Sequence, residues 1–351
     1  DQGELYDPFE IVPLVTTKLN DKVLLFSDAN EQTVNVGVRS GTNNIKGKLF
    51  LDVPEKWKVS PTFIEIEIKQ KGDTQTYPFK ITPTINDSEG VIKASVLVDG
   101  KKFDKELIEI KYDHIPKQTV LKKSEAKAVR LNIKKAGNFI GYIKGAGDLV
   151  PESLKQIGYS VVMINPEEIT TEHLKKYDAI VLGIRAYNTI PILKYKQKFL
   201  LEYVKNGGNM VVQYNTSRRV DVAAPFKLNL SRDRVTDENA KVEILEKNHA
   251  VMNFPNKISE QDFNGWVQER GLYFPNSWSS EYTPILSMND KGEKPKKGSL
   301  LIAKYGKGNY IYTGLSFFRE LPAGVSGAYK LFANILSIGK TNIQQQNQLE
   351  K

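Results

Sequence analysis

Apolar and polar positions follow two different periods along this chain. Over residues 9–112 they alternate every second residue, the signature of strands with one buried face. Phe9–Leu19, Lys22–Ser27, Gln32–Val38, Lys48–Val53, Phe63–Lys69, Thr76–Ile81, Val91–Val98 and Glu106–Tyr112 each read as strands rich in Val, Ile, Leu, Phe and Thr. In Phe63-Ile64-Glu65-Ile66-Glu67-Ile68 the isoleucines share one face and the glutamates the other. Gly41, Gly72, Gly90 and Gly100, with Asn43, Asn44, Asp73 and Asp87, punctuate the runs at turn-sized intervals. Seven or eight short strands in about 105 residues predict an antiparallel sandwich of immunoglobulin type over residues 1–115. Leu51-Asp52-Val53-Pro54 ends one strand at a proline turn, and Trp57 just beyond it is expected as a core anchor.

The alternation stops at Asp113-His114-Ile115-Pro116-Lys117-Gln118, and Lys117 to Lys127 is polar. Residues 116–135 therefore read as a linker and connecting strand, with His114 a structural or inert residue at its start. From about Val129 the period changes to strand–helix alternation. Phe139–Lys144, Tyr159–Ile164, the near-continuous apolar Asp178–Ile184 and Asn209–Tyr214 are strands. Between them lie helices over Pro151–Ile157, from Thr170 to Tyr177, and over Ile192–Asn206, which ends at Gly207-Gly208. Ser299–Lys304 and Asn309–Thr313 flank a hairpin turn at Tyr305-Gly306-Lys307-Gly308, and a helix over Ala328–Ile338 closes the domain. Residues 216–297 show no clear period, and 341–351 form a polar tail. Successive strand–helix units predict a parallel, doubly wound α/β sheet over 136–340, with ligands beyond the carboxyl ends of its strands.

Composition narrows the chemistry. The 351 residues contain no Cys, which excludes disulfides, thiolate metal ligands and a Cys nucleophile. Three histidines, His114, His173 and His249, lie far apart with no HExxH-like pair, so neither a metal nor another cofactor is expected. No apolar run approaches the 18 residues or so of a transmembrane helix, and no basic segment leads into an apolar one at the start. The first residue is Asp1, which reads as a processed or excised piece. Of the net charge of +9, residues 1–135 carry 22 basic and 20 acidic side chains, and 136–351 carry 28 and 21. The excess is scattered apart from Arg218, Arg219, Lys227, Arg232, Arg234 and the run Lys291 to Lys297. Without a charged stripe, interleaved aromatics or a motif, a solvated surface is expected and not a nucleic-acid interface.

The strand-end rule nominates three turns: Gly145-Ala146-Gly147-Asp148, Arg185-Ala186-Tyr187-Asn188 and Gln213-Tyr214-Asn215-Thr216. The glycines of the first lack the GxGxxG spacing, so a tight turn explains them before an anion cradle does. Arg185 follows an apolar strand, where a guanidinium needs an acid or a ligand. An ion pair with Asp148 or Glu320 and a ligand contact stand level. Asp262-Phe263-Asn264-Gly265-Trp266-Val267-Gln268-Glu269-Arg270 mixes aromatic, amide and charged groups, as sugar recognition requires and as a buried polar network also does. Phe317-Phe318-Arg319-Glu320 reads the same way. Candidate ligand contacts are thus Asp148, Arg185, Tyr187, Asn188, Gln213, Asn215, Trp266, Glu269, Arg270 and Arg319, with His249 and Asp262 as weak catalytic candidates. No GxSxG elbow is present, and Ser316 lacks the second glycine.

Several stretches carry a family resemblance. Gly141-Tyr142-Ile143-Lys144-Gly145-Ala146-Gly147-Asp148, Gly183-Ile184-Arg185-Ala186-Tyr187-Asn188, Val212-Gln213-Tyr214-Asn215-Thr216, the run from Gly265 to Phe274 and that from Gly314 to Gly324 resemble the C-terminal region of large LmbE/PIG-L-family deacetylases. The opening Gly3-Glu4-Leu5-Tyr6-Asp7-Pro8-Phe9-Glu10 is similar as well. In that family a zinc-dependent N-acetyl-sugar deacetylase domain with an HPDDE-type motif lies upstream; the motif is absent here, so the resemblance implies neither its metal nor its chemistry for this piece. The second domain also resembles flavodoxin-like class I glutamine amidotransferases, near the ThuA-like group, with Asn248-His249-Ala250-Val251 and Asp262 similar to that group's His-containing segment. The resemblance puts the amidotransferase nucleophile in the turn after strand 209–214, where this chain has Gln213-Tyr214-Asn215 and no cysteine.

These readings converge on a non-catalytic accessory region that binds carbohydrate or packs on the deacetylase domain, with a periplasmic or extracellular location implied by the resemblance. Two alternatives stay open. One is a divergent enzyme with Arg185, His249 and Asp262 around a small sugar or amide. The other is a purely structural spacer.

Overall fold

A computed structural model describes residues 9–112, 114–216 and 224–340. The opening Gly3–Pro8, the pair Arg218 and Arg219, and the tail 341–351 lie outside the described residues. The chain divides into two compact units, residues 1–132 and 133–351.

The first unit is all β. Its strands are β1 (Val15–Leu19), β2 (Val23–Phe26), β3 (Gln32–Ser40), β4 (Ile45–Asp52), β5 (Lys58–Ser60), β6 (Ile64–Ile68), β7 (Thr74–Thr82), β8 (Ser88–Val98), β9 (Lys101–Phe103), β10 (Lys105–Tyr112), β11 (Ile115–Lys123) and β12 (Glu125–Arg130). One sheet runs β1-β3-β7-β5 and a second β2-β12-β8-β4-β6, with β9 on β8 and β10-β11 as a separate ribbon. The alternating residues of both sheets meet in one core: Val34, Val36 and Val38 of β3, Phe79 and Ile81 of β7, Ile66 and Ile68 of β6, and Ile92, Ala94 and Val96 of β8. Trp57 is buried as expected. Its ring meets Phe26 edge-on at 4.9 Å, and its Nε1 donates to Ser88 Oγ at 3.0 Å.

Of residues 116–135, expected as a linker and connecting strand, the linker part is corrected: 116–123 and 125–130 are both strand. Residues 115–123 pair antiparallel with β10, and 125–130 form a central strand between β2 and β8. The sequence hides β11 and the pairing of β12. β11 lies in an exposed ribbon where lysines suffice, and β12 buries the small Ala126 and Ala128, which carry little strand propensity.

The second unit holds β13 (Phe139–Ile143), β14 (Ser160–Met163), β15 (Ala179–Leu182), β16 (Asn209–Gln213), β17 (Leu228–Val235), β18 (Val242–Ile244), β19 (Gly271–Trp278), β20 (Tyr282–Pro284), β21 (Leu286–Met288), β22 (Leu300–Tyr305) and β23 (Gly308–Thr313). Its helices are α1 (Val150–Gln156), α2 (Thr171–Leu174), α3 (Ala186–Thr189), α4 (Leu193–Lys205), α5 (Ala250–Asn253), α6 (Phe317–Glu320) and α7 (Ser326–Ser337). A seven-stranded sheet runs β14-β13-β15-β16-β23-β22-β20, parallel from β14 to β23 and antiparallel beyond. One face packs Ile180, Leu182, Met210, Val212, Tyr310 and Tyr312 under α2 and α4. The other carries α7, whose last turn accepts a hydrogen bond from Asn209 at the start of β16 (Nδ2 to Leu336 O, 3.2 Å). Covering both faces is why β15 and β16 read as continuous apolar runs. Within the aperiodic stretch, the described residues 224–297 form two short antiparallel pairs, β17-β19 and β18-β21, the first interrupted by bulges.

Truncating Trp57 removes the edge-to-face contact and leaves a cavity, at a cost of about 3–5 kcal/mol. Trp57→Ala is expected to speed amide exchange throughout β2, β8 and β12; unchanged protection there would contradict this assignment.

Candidate functional site

The carboxyl ends of β13, β15 and β16 bring the three nominated turns together. The first is held from below. Tyr142 Oη donates to the Asp148 carboxylate, 2.7 and 2.8 Å from its two oxygens, and accepts from Gln213 Nε2 at 3.0 Å. Asp148 also accepts from the backbone N–H groups of Val150 and Ile184. It is a loop anchor, not an open contact. Gly145 serves close approach: a Cβ there would stand 2.0 Å from Ile184 O. The bland reading of these glycines therefore accounts for them.

The second and third turns lock to each other. Asn215 is fully buried; its Oδ1 accepts from Tyr187 N at 2.9 Å and its Nδ2 donates to Gln213 O. Asn188 pairs reciprocally with Thr216, side chain to hydroxyl and N–H to amide oxygen, both at 2.9 Å. The Tyr187 hydroxyl is buried without a partner, and burial pushes its pKa far up. These residues shape the edge.

Arg185 differs from all of them. It is exposed, its backbone is left-handed at φ 57°, and its N–H donates to Tyr214 O at 2.8 Å. Asp148 and Glu320, the two acids proposed to pair with it, are engaged elsewhere, and among the described residues no acid pairs with it. A left-handed arginine costs about 1–2 kcal/mol, and such strain concentrates at functional positions.

Beside it stands an aromatic group. Tyr214 stacks on Tyr273 (5.8 Å, 13°) and meets Phe318 at 5.3 Å. Burial raises the Tyr214 pKa, and the charges of Arg185 and Arg319 pull against it. Arg319 lies over Phe318 and donates Nε to Glu269 Oε1 at 3.0 Å, with a second bond to Gln268. Arg234 sits with its guanidinium carbon 5.8 Å from the Tyr273 ring centre. Gln268 and Tyr273 share the left-handed conformation of Arg185, at φ 68° and 52°. Tyr273 and Arg234 escaped the sequence reading because β17 and β19, which carry them, pair across a bulged register with no local signal.

The remaining candidates are structural. Arg270 spends its donors on the carbonyls of Ala240 (3.0 and 2.7 Å) and Phe263 and is 4% exposed. Trp266 is 3% exposed, donates to Asp262 O, and packs against Phe263 and Phe317. Asp262 closes a capping box with Ser259 ahead of the turn 260–263. His249 caps α5, its Nδ1 accepting from Val251 N at 3.1 Å, and burial lowers its pKa. Its segment runs along α7 toward the amino ends of the strands, where Asn334 bonds Val251 O and Asn256, and Asn256 bonds Lys134. Arg185, His249 and Asp262 thus exchange no hydrogen bond and occupy separate networks. Among the described residues no cluster of His, Cys, Asp and Glu could hold a metal ion, and no helix is long and apolar enough to cross a membrane. A cavity of about 280 Å³ in the first unit is lined by Arg39, Lys117, Glu10 and Glu109, two cations and two carboxylates paired at 2.7–3.5 Å.

The architecture is therefore a β-rich, multi-sheet protein of two units, one with an α/β sheet whose carboxyl edge presents arginines around stacked aromatics. No family model and no curated protein matches the chain. Among solved structures it is similar to Op5Man5, an exo-beta-1,4-mannosidase from Opitutaceae bacterium strain TAV5, at 9% identity and a TM-score of 0.35, over 57% of this chain and 35% of that one. It is also similar to a family 123 glycoside hydrolase from Clostridium perfringens at 10% identity and a TM-score of 0.20, over 58% and 39% of the two chains. The chain thus spans little more than a third of either enzyme's length.

Glu320, beneath this edge, is fully buried. Its Oε2 accepts from Val267 N at 2.9 Å while Oε1 has no partner, and burial lifts its pKa to about 8. The folded state then holds a proton that the unfolded chain releases near its ordinary value. Stability from this group is greatest below the unfolded pKa, falls as pH rises toward about 8, and levels off beyond. In Glu320→Gln that slope should vanish: melting of the parent falls between about pH 5 and about pH 8 more than that of the variant. Parallel slopes would assign the dependence to other groups.

Proposed function

We propose that this chain is a non-catalytic accessory region of an LmbE/PIG-L-type deacetylase that binds carbohydrate at the carboxyl edge of its parallel sheet. One observation carries the binding half: Tyr214, Tyr273 and Phe318 form a ring cluster flanked by exposed or half-exposed arginine and amide groups at the edge where doubly wound sheets take ligands. Sugar CH faces pack on such rings while hydroxyls take hydrogen bonds from guanidinium and amide groups.

The accessory half rests on sequence. The motif stretches resemble the C-terminal region of those deacetylases, and the turn after β16 has Gln213-Tyr214-Asn215 where amidotransferase relatives have their cysteine. The order β14-β13-β15-β16-β23 is the 2-1-3-4-5 order of flavodoxin-like sheets, which supports a class I glutamine amidotransferase-like, ThuA-like second domain. The facing sheets of the first unit support an immunoglobulin-like domain. Packing on the deacetylase domain, and a periplasmic or extracellular location, follow from the same resemblance.

A glycan array followed by calorimetry tests the binding. Phe318→Ala and Tyr273→Asn, the latter keeping a residue that tolerates left-handed backbone, should each weaken an array hit by about tenfold or more. Silence across the array, with no association with the deacetylase domain, would overturn the proposal.

A further inference from the structure

Six non-glycine residues among those described have positive φ, and the three in the second unit are Arg185, Gln268 and Tyr273. All three lie at the aromatic edge. Backbone held in this region persists only where the surroundings impose it, and its concentration at one edge marks that edge as shaped for a ligand.

The charge there is one-sided. Arg319 is neutralised by Glu269 at 3.0 Å. Arg185 and Arg234 are exposed, stand beside Tyr214 and Tyr273, and make no ion pair among the described residues. Asp148, the nearest acid of the strand-end turns, is turned under the loop to Tyr142. Two guanidinium groups whose donors are unpaired among the described residues therefore flank a stacked pair of phenol rings. A guanidinium fork matches a carboxylate, taking both oxygens at once, and the rings offer the apolar face that a pyranose needs.

We infer that the edge selects an acidic saccharide, a uronic-acid-containing oligosaccharide whose successive carboxylates meet Arg185 beside Tyr214 and Arg234 beside Tyr273 while a sugar ring lies against the aromatic cluster. This rests on the carbohydrate-binding reading above. It adds the charge of the ligand and names the two residues that read it.

Calorimetry of the full chain with a galacturonic acid trisaccharide, its methyl ester and a galactose phosphate separates the cases. The free acid should bind about tenfold or more tighter than its ester, and the advantage should shrink as salt is raised. Arg185→Asn, which keeps a left-handed-tolerant residue, and Arg234→Gln should each remove most of that advantage, weakening the acid far more than the ester, while leaving the circular dichroism spectrum unchanged. Equal binding of acid and ester would overturn the inference and leave the carbohydrate reading standing. A preference for the sugar phosphate would overturn the carboxylate assignment. An acid preference untouched by both substitutions would place the charge contact elsewhere and overturn the residue assignment. Silence toward these three and toward every neutral glycan would remove both readings.

Discussion

A parallel strand buried on both faces can be polar only at its ends, and in β16 each end becomes a tie across the sheet. Asn209 at its start donates to the last turn of α7 and accepts from Asn309 of β23. Gln213 at its end reaches Tyr142 on β13, which holds Asp148 and through it the first loop of the carboxyl edge. The next residue, Tyr214, accepts the Arg185 N–H. Remove the burial of Met210, Val211 and Val212 and these ties lose their frame, because a neutral hydrogen bond contributes only about 1 kcal/mol net in water-accessible surroundings. The functional edge is the polar margin of an apolar strand.

That dependence explains which groups at the edge are fixed and which are free. Asn215, Asn188, Tyr187 and Asp148 hold one another or the backbone, so their polar atoms are consumed before any ligand arrives. Arg270 and Trp266, attractive in sequence because they mix charge with aromaticity, do the same one layer further out. What remains exposed is Arg234 together with the residues whose backbone is strained: Arg185, Gln268 and, half-buried, Tyr273.

Legibility in the sequence follows the range of the interaction. The alternation of Ile64, Ile66 and Ile68, the apolar run of β15 and the cap of α2 by Thr170, whose side chain accepts from His173 N at 3.1 Å, are local facts and were readable. Strand β11 and the place of β12 inside its sheet were not, because lysine-rich and alanine-rich segments become strands only through partners elsewhere. The strand-end rule located the loops of the site. It could not supply Tyr273 and Arg234, which arrive from β19 and β17 through a pairing with three register breaks. Nor could it show that Arg185 has no acidic partner among the described residues, since Asp148 and Glu320 are available in sequence and are claimed by Tyr142 and Val267 in space.

The position of β12 bears on how the chain can be divided. It joins β2 in parallel and β8 antiparallel, so that the last strand of the first unit sits between two much earlier ones. A fragment ending at the apparent break near residue 115 would lack that strand, leaving β8 with an open edge and β2 with no partner strand. Exposed edges of this kind recruit strands from other molecules. Such a fragment should self-associate, whereas one ending after Asn132 carries its own edge protection.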